Sequence, residues 1–450
     1  MDFATSSDPA VQAQLDRLTL LSPGADILGL DRIGRLLDRL GNPERDLPPV
    51  FHVAGTNGKG STCAYLRAAI EAAGLSCHVF TSPHLVRFNE RIRIAGALIS
   101  DAELASLLAE VLDASEGVGA DAIGASFFEV TTAAALLAFA RVPADACVIE
   151  VGLGGRLDAT NVIPAPTICG ITQLGLDHQA FLGDRIEDIA AEKAGIAKPN
   201  IPIVTLHYPA GVANRIGQVI RTAQAPWHVK GGGWDIAAYQ GRLHYRDGEG
   251  KLELPLPRLA GGHQAMNAGV AIAMLRHQAA IEIPASALRA AMGWVEWPAR
   301  MQHLHEGALV DMLPDGAELW LDGGHNPAAG RVIGDFLRVH VAPGRPVHII
   351  LGMLENKDAA GFLAALGSPR ADIWTVPIPG HAHHSPGTLA AITKLAGLDA
   401  IPADDVPSAI DRIVAQGQGR GQSQTPPVIL IAGSLYLAGR VLEANGTIPV

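Results

Sequence analysis

Three features of the chain predict a protein of two α/β domains. Short β-branched runs alternate with Ala- and Leu-rich helical stretches, the pattern of a parallel sheet covered by helices. That alternation is interrupted at 228–254 and begins again near residue 300. The length of 450 residues also exceeds what one compact core accommodates. The larger domain is expected over 1–297, with a parallel sheet and a small antiparallel sheet at its edge. The smaller α/β domain is expected over 298–450, with Trp297-Pro298-Ala299-Arg300 as the joint.

Within the first domain the apolar runs predict strands at Val50–Ala54, Cys147–Val151, Ile168–Thr172 and Ile201–Thr205. Helices are expected at Ser61–Ala73, Asp101–Ser115 and Thr131–Arg141, and another from Gly262 through AMNAGVAIAMLRHQ. The segment HVKGGGWDIAAYQGRLHYRDGEGKLEL alternates around an Asp-Gly-containing turn, which predicts an antiparallel meander. In the second domain strands are expected at Leu319–Asp322, Val347–Leu351, Ile373–Val376 and Val428–Ala432.

Composition narrows the function. Hydrophobic residues make up 48% and charged residues 18%, as in an ordinary globular protein, and aromatics only 5%, so the core must use small and branched aliphatic side chains. A net charge of -11 argues against a nucleic-acid partner, whose phosphates need clustered Lys and Arg, but not against a small anionic substrate. Cys63, Cys77, Cys147 and Cys169 form no C-x-x-C pair and lie in apolar surroundings, as buried free thiols do. The N-terminus lacks the apolar run of a signal peptide, and no stretch approaches the ~18 apolar residues of a membrane span. A cytoplasmic enzyme without a membrane partner, acting as a monomer, is expected.

The strongest local signal is FHVAGTNGKGSTCAYLRAAI. A strand ends at Ala54, a Gly-rich turn follows, and a helix begins near Ser61. That arrangement aims unpaired backbone N–H groups and the positive end of a helix at one point, as a polyphosphate requires, and Lys59 adds a point charge. Gly60 stands between Lys59 and Ser61, so the spacing departs from G-x-x-x-x-G-K-[ST]. The alternative is a tight strand-to-helix turn with a solvated lysine.

Further blocks follow in order: TSPHL at Thr81–Leu85, ERI at Glu90–Ile92, FFE at Phe127–Glu129, EVGLGGRLDATN at Glu150–Asn161, LDH at Leu176–His178, EKAGI at Glu192–Ile196, HQAMNA at His263–Ala268 and DGGHNP at Asp322–Pro327. With GTNGKGS, these resemble the Mur ligase superfamily, specifically its dihydrofolate synthase/folylpolyglutamate synthase branch in the bacterial bifunctional form, over most of the chain. The resemblance implies a P-loop ATPase domain of Mur-ligase type, followed by a Rossmann-like C-terminal domain. It implies an ATP-dependent ligase that joins L-glutamate to dihydropteroate and to reduced folates through an acyl phosphate. It further implies that Thr56, Asn57, Gly58, Lys59, Gly60, Ser61, Asn267, Arg300, Asp322 and His325 hold ATP. Ser82, Glu150 and His178 would hold magnesium, with Lys193 as a carbamate on a second ion. Asp26, Ile27, Leu28, Ser126, Phe127, Phe128, Glu129, Leu157, Asp158 and Ala159 would hold the folate. Lys59, Lys193 and His178 would be catalytic.

The residues themselves support some of this. Glu150 ends an apolar strand at the carboxyl edge of the sheet, where ligands collect in open α/β folds; the alternative is a pair with Arg156. Ser82 and Glu150 offer the oxygen atoms that magnesium prefers, whereas a lone histidine such as His178 is ordinarily a loop residue. Spacing alone reads Lys193 as an exposed lysine paired with Glu187, Asp188 or Glu192. Gly380-His381-Ala382-His383-His384 reads as a polar loop or, less simply, a metal site. Asn356-Lys357-Asp358 is offset from a guanine-reading motif, and Gly152–Gly155 departs from the dinucleotide fingerprint.

Alternatives within the resemblance are a dedicated folylpolyglutamate synthase or another Mur-type amide ligase. The 54 residues before Gly55 are too few for the extra domain expected of a cell-wall ligase. A phosphate-loop switch or transport ATPase would not need the DGGHNP domain.

Overall fold

The protein is described from a computed structural model, over residues 5–20, 28–117, 121–367, 371–418 and 425–449. Asp26 and Ile27 lie outside the described residues. The chain divides into two compact units, Met1–Arg258 with Gln264–Glu296, and Leu259–His263 with Trp297–Val450.

The first unit is built on an eight-stranded sheet. Its strands are β1 (Val50–Ala54), β2 (Cys77–Phe80), β3 (Ile92–Ile94), β4 (Ala97–Leu98), β5 (Ala146–Glu150), β6 (Ile168–Ile171), β7 (Ile203–Thr205) and β8 (Trp227–Val229). They lie in the order β4-β3-β2-β5-β1-β6-β7-β8. All neighbours are parallel except at the β3 and β4 edge. Strands β1 and β5 are buried at every position, as expected of central strands covered on both faces. β1 matches its expected span, and β5 starts and ends one residue earlier than expected.

The antiparallel edge of this sheet is the short β3–β4 pair, not the segment at 228–254. That segment divides. His228 and Val229 belong to β8, which pairs parallel with β7. The remainder forms a separate three-stranded sheet of β9 (Trp234–Tyr239), β10 (Arg242–Asp247) and β11 (Gly250–Pro255). The physical reason lies in its alternation: Trp234, Ile236, Leu243, Tyr245 and Leu254 are buried on one face. They need a partner surface, which the helix His263–Arg276 supplies from its Gln264-onward part. A Cβ on Gly269 of that helix would come within 2.7 Å of Ile236.

Two helices not named from the sequence, Pro9–Leu20 and Asp31–Arg39, join the core of this unit through Val11, Leu15, Leu18, Ile33, Leu36 and Leu37. The spacing of Val11, Leu15 and Leu18 is that of one helical face. They pack with the helices Asp101–Ser115 and Phe127–Arg141. The latter starts four residues earlier than expected, because Ser126 and Glu129 form a capping box that nucleates it.

The second unit carries a six-stranded sheet of β12 (Gln302–Leu304), β13 (Glu318–Leu321), β14 (Val347–Leu351), β15 (Ala371–Thr375), β16 (Ala400–Pro402) and β17 (Val428–Ala432). The order is β12-β13-β17-β14-β15-β16. Only β12 runs antiparallel. The edge strands β12 and β16 have three residues each and were too short to stand out in the sequence. No helix among the described residues is long and apolar enough to cross a membrane.

The meander is tied to its helix by Arg276, whose Nε and Nη2 donate to Asp247 at 2.5 and 2.8 Å. The Asp247 side chain is only 1% exposed. Removing Asp247 leaves Arg276, 17% exposed, with only the exposed Glu249 at 3.4 Å in place of its buried partner. Asp247→Ala is therefore expected to destabilise the first unit by about 3 kcal/mol, measured by urea unfolding followed through tryptophan fluorescence.

Candidate active site

The site of the first unit is assembled at the carboxyl ends of β1, β5 and β6. After β1 the chain turns through Gly55–Gly58 into the helix Lys59–Ala72. The turn is clamped from two sides. Thr56 and Asn57 donate their N–H groups to Gln173 O at 2.9 and 3.1 Å. Thr172 Oγ1 donates to Asn57 O at 2.8 Å, and Gly175 N donates to Thr56 Oγ1 at 3.1 Å. Only glycine fits at two positions. Gly55 and Gly58 have φ of 152° and 87°, and a Cβ there would lie 1.9 Å from Thr172 Oγ1 and 2.3 Å from Asn267 Oδ1. Gly58 caps the helix without a side chain, so the N–H groups of its first turn remain available to an anion.

Asn267 is buried and donates to Gln264 Oε1 at 3.1 Å, while Gln264 Nε2 reaches Ser61 Oγ at 3.5 Å. Gln264 and Asn267 thus pack directly on the phosphate loop.

Lys59 Nζ lies 3.9 Å from Glu150 Oε1 and donates to Thr56 O at 3.3 Å. Glu150 is buried at the end of β5, and its Oε2 faces the backbone N–H of Ser82 at 3.4 Å. The structure therefore brings Lys59, Glu150 and Ser82 together. Arg156 pairs with Glu192 at 2.9 Å instead, so the alternative Glu150–Arg156 pair does not form.

Lys193 is not an exposed lysine: it is 4% exposed and its Nζ donates to Gly55 O at 3.0 Å. The backbone explains its burial. Arg156 N donates to Glu192 O at 2.8 Å, and a Cβ on Gly155 would meet Glu192 O at 2.7 Å. Docking of the GLGGR turn on the end of the helix Ile186–Ala194 turns that lysine inward. Burial, aided by the Lys59 charge, pushes its amine down to about 7, opposed by Asp177 and Asp158. His178 follows Asp177 with φ of 53°; its ring is 44% exposed, with Nε2 4.0 Å from Asp177 Oδ1. His178 is thus linked to the Lys193 side of the site through Asp177.

Among the described residues, no three His, Cys, Asp or Glu side chains converge as a ready metal cage. The donor set at Ser82 and Glu150 suits magnesium nonetheless, because that ion takes one or two carboxylates and completes its shell with phosphate oxygens and water.

Several residues of the expected folate segments do structural work. Ser126 N donates to Glu129 Oε2 at 2.7 Å, and Arg32 Nε meets the same oxygen at 3.0 Å. Asp158 is buried and accepts from Leu153 N at 2.8 Å, Thr160 N at 3.0 Å and Thr160 Oγ1 at 2.5 Å. Apart from Ser126, what these segments leave partly exposed is apolar: Leu28, Phe127, Phe128 and Leu157. Phe128 lies against Gly152, where a Cβ would come within 2.3 Å of its ring.

Residues not singled out from the sequence complete the wall. Glu90 accepts from Leu85 N, Val86 N and Arg87 N at 2.7, 2.9 and 2.7 Å, fixing the chain after Ser82. Buried Arg91 donates to His84 Nδ1 at 2.8 Å and lies over Phe88 and Phe127 at 5.3 and 5.4 Å. The signal was present in the TSPHL and ERI blocks, but a carboxylate that binds three consecutive N–H groups has no spacing of its own.

In the second unit Asp322 accepts from Met301 N and Gly324 N at 2.8 and 2.7 Å. Arg300 Nη1 donates to Ala299 O at 2.9 Å, and His325 Nδ1 lies 2.9 Å from Gly323 O. His263 belongs to this group: burial lowers its pKa, with Asp322 opposing and Arg300 adding to the effect. Asp358 caps the helix Ala359–Leu366 through Gly361 N at 2.8 Å, which accounts for Asn356-Lys357-Asp358 without a nucleotide base. The histidine loop lies antiparallel against Met353–Glu355, with His384 N donating to Met353 O at 3.0 Å.

No family model matches the chain. It is 33% identical to the dihydrofolate synthase/folylpolyglutamate synthase of Escherichia coli, over 92% of this chain and 91% of that protein. It spans about half, 48%, of a longer relative from Halobacterium salinarum named as a probable bifunctional folylpolyglutamate synthase/dihydropteroate synthase, at 32% identity over 91% of this chain. Among solved structures it superimposes on E. coli FolC in complex with DHPP and ADP, with TM-score 0.84, 30% identity and 98% of each chain covered. A bifunctional folylpolyglutamate synthase/dihydrofolate synthase with Mn, AMPPNP and L-glutamate bound gives TM-score 0.81 at 32% identity, covering 98% of this chain and 99% of that one. The architecture is thus the two-domain fold of Mur-type ligases. The chain belongs to the dihydrofolate synthase/folylpolyglutamate synthase family, whose members are ATP-dependent ligases.

Lys59 touches both the phosphate-loop backbone and Glu150. Its replacement by alanine is expected to lower turnover at least ~100-fold, as for loss of a preorganised charge at a phosphoryl-transfer centre. Ligation rates measured on protein whose thermal unfolding matches the parent will check this.

Proposed function

We propose that this chain couples L-glutamate to dihydropteroate, giving dihydrofolate, and to reduced folates, giving folylpolyglutamates, with ATP as co-substrate and magnesium as cofactor. The observation that carries the proposal is the set formed by the phosphate loop, Lys59, the buried Glu150 and Ser82, with the Lys193 amine held against Gly55. Family membership supplies the substrate class.

The residues suggest how the chemistry is managed. Backbone N–H groups from Thr56 to Ser61 and the helix N-terminus bind the phosphates. Asn267, Arg300, Asp322 and His325 take part in nucleotide binding. The acceptor carboxylate attacks the γ-phosphorus, ADP leaves, and an acyl phosphate forms. The glutamate amine then attacks the acyl carbon, expelling phosphate and forming the amide. Carboxylate and phosphate repel each other, and Lys59 offsets that repulsion. Magnesium held by Ser82 and Glu150, with His178 contributing, supplies further charge neutralisation when bound. Leu28, Phe127, Phe128 and Leu157 offer the apolar surface for a flat heteroaromatic ring, with Ala159 beside Asp158 in the same turn, and Asp158, Ser126 and Glu129 hold the backbone around it.

We further propose that Lys193 carries a carbamate in the active enzyme and contributes an anionic oxygen to a second ion. A lysine buried beside another cation is held partly as the neutral amine, the form that adds carbon dioxide. Labelled bicarbonate is expected to give a carbamate carbon resonance that Lys193→Ala lacks. Its absence from the parent protein would exclude the modification.

One active site is proposed for both glutamate additions, since the first unit shows one phosphate loop among its described residues. Dihydropteroate and a reduced folate should therefore compete. Summed rates with both substrates saturating would indicate separate sites, and chain extension without dihydrofolate formation would make this a dedicated folylpolyglutamate synthase.

A further inference from the structure

β1 delivers the phosphate loop, and behind that loop it carries a histidine with no part in the chemistry above. His52 is fully buried, among Phe51, Val53 and the other apolar residues of the sheet. Its Nε2 lies 2.8 Å from Thr160 Oγ1. Thr160 Oγ1 in turn lies 2.5 Å from Asp158 Oδ1. Asp158 also accepts from Thr160 N at 3.0 Å and Leu153 N at 2.8 Å.

The proton positions follow. Asp158 is surrounded by donors alone. Burial raises its pKa, and the hydrogen bonds from Thr160 and Leu153 draw it back. It accepts throughout, so the Thr160 hydroxyl gives its single proton to Asp158 and must accept from His52. His52 therefore carries its hydrogen on Nε2. Its other nitrogen, Nδ1, is buried and meets no hydrogen-bond partner, as suits a bare lone pair. Burial, with the nearby charge of Lys198, pushes the ring down to about 3, which keeps it neutral.

A buried nitrogen without a partner is unfavourable, and an aliphatic residue would fill this strand position without that penalty. What the histidine provides is a donor with one direction. It orients Thr160, Thr160 orients Asp158, and Asp158 gathers the N–H groups of Leu153 and Thr160. Those residues bracket Leu157–Ala159 and begin three positions after Glu150. The relay thus runs from the strand that bears the phosphate loop to the turn that bears the expected folate contacts.

We infer that His52 is a positioning residue for the acceptor substrate: through Thr160 and Asp158 it sets the Gly152–Ala159 turn against the phosphate loop at the end of its own strand. This deepens the function proposed above and rests on Leu157–Ala159 forming part of the folate site.

The test is steady-state kinetics with dihydropteroate and ATP varied separately, alongside thermal unfolding. His52→Phe keeps a ring but no N–H; His52→Gln places an amide donor near the original Nε2. Thr160→Val and Thr160→Ser form the matching pair one step along the relay. Losing one buried hydrogen bond of ordinary strength corresponds to about tenfold. His52→Phe and Thr160→Val are expected to raise the KM for dihydropteroate by that factor while the KM for ATP stays within about 2-fold. His52→Gln and Thr160→Ser should remain within about 3-fold of the parent. The double variant His52→Phe/Thr160→Val should be no worse than either alone, because both break the same chain.

A lowered Tm with an unchanged KM for dihydropteroate would overturn the inference, as would parallel rises in both KM values. Should His52→Phe fail to fold, the Thr160 pair decides by the same criteria. Leu157→Ala separates the two levels. If it leaves the KM for dihydropteroate unchanged, the folate assignment of the turn fails. If it raises that KM and the His52 and Thr160 variants do not, the relay fails alone.

Discussion

The position of the Gly55 peptide is the constraint on which the chemistry of the first unit depends. Its α-carbon is pressed against Thr172, and its carbonyl accepts from Lys193 at 3.0 Å. Thr172 is itself fixed, since its carbonyl and that of Ile171 accept from the buried Tyr208 hydroxyl at 2.6 and 3.0 Å. The phosphate loop is therefore not a free turn. It is held by the end of β6 on one side and by Asn267 on the other, and its N–H groups are preorganised before any anion arrives. Preorganisation of this kind lets dipoles act on developing charge without the cost of reorienting.

Many of the motif carboxylates and amides bind the backbone. Glu90 binds three consecutive N–H groups, Asp158 closes the turn after β5, and Glu129 caps the helix Phe127–Arg141. In the second unit Asn326 caps the helix Pro327–His340 and Asp322 gathers the N–H groups of Met301 and Gly324. Each spans a stretch of chain that no helix or sheet ladder would hold. Buried backbone N–H groups must be paired somewhere, and a carboxylate can satisfy several at once.

The charges of the site are arranged against one another. Glu150 is kept at the carboxyl edge of the sheet by a strand apolar at its other positions, with Lys59 3.9 Å away. Lys193 is close enough to feel Lys59, and that repulsion adds to desolvation in favouring its neutral form. The two lysines thus hold different roles for a physical reason. Lys59 is 16% exposed at the mouth of the loop, whereas Lys193 is almost wholly enclosed.

The sequence by itself determined the two α/β patterns, the phosphate loop, and the family that the ordered blocks resemble, because strand hydrophobicity and glycine spacing are local properties. β1, β14, β17 and the helix Asp101–Ser115 lie where their residues place them. The tertiary structure alone decided which surface each element meets. It detached β9–β11 from the main sheet, since their apolar face needed a helix distant in sequence to cover it. It buried Lys193, which helical spacing reads as exposed, because the Gly155 turn docks on its helix. It also gave Glu150 its partners: Arg156 stands six residues away in the chain, yet Lys59 and Ser82 are the neighbours in space. Pairings of this kind are made between strand ends that the sheet order brings together, and sheet order is not written in any local pattern.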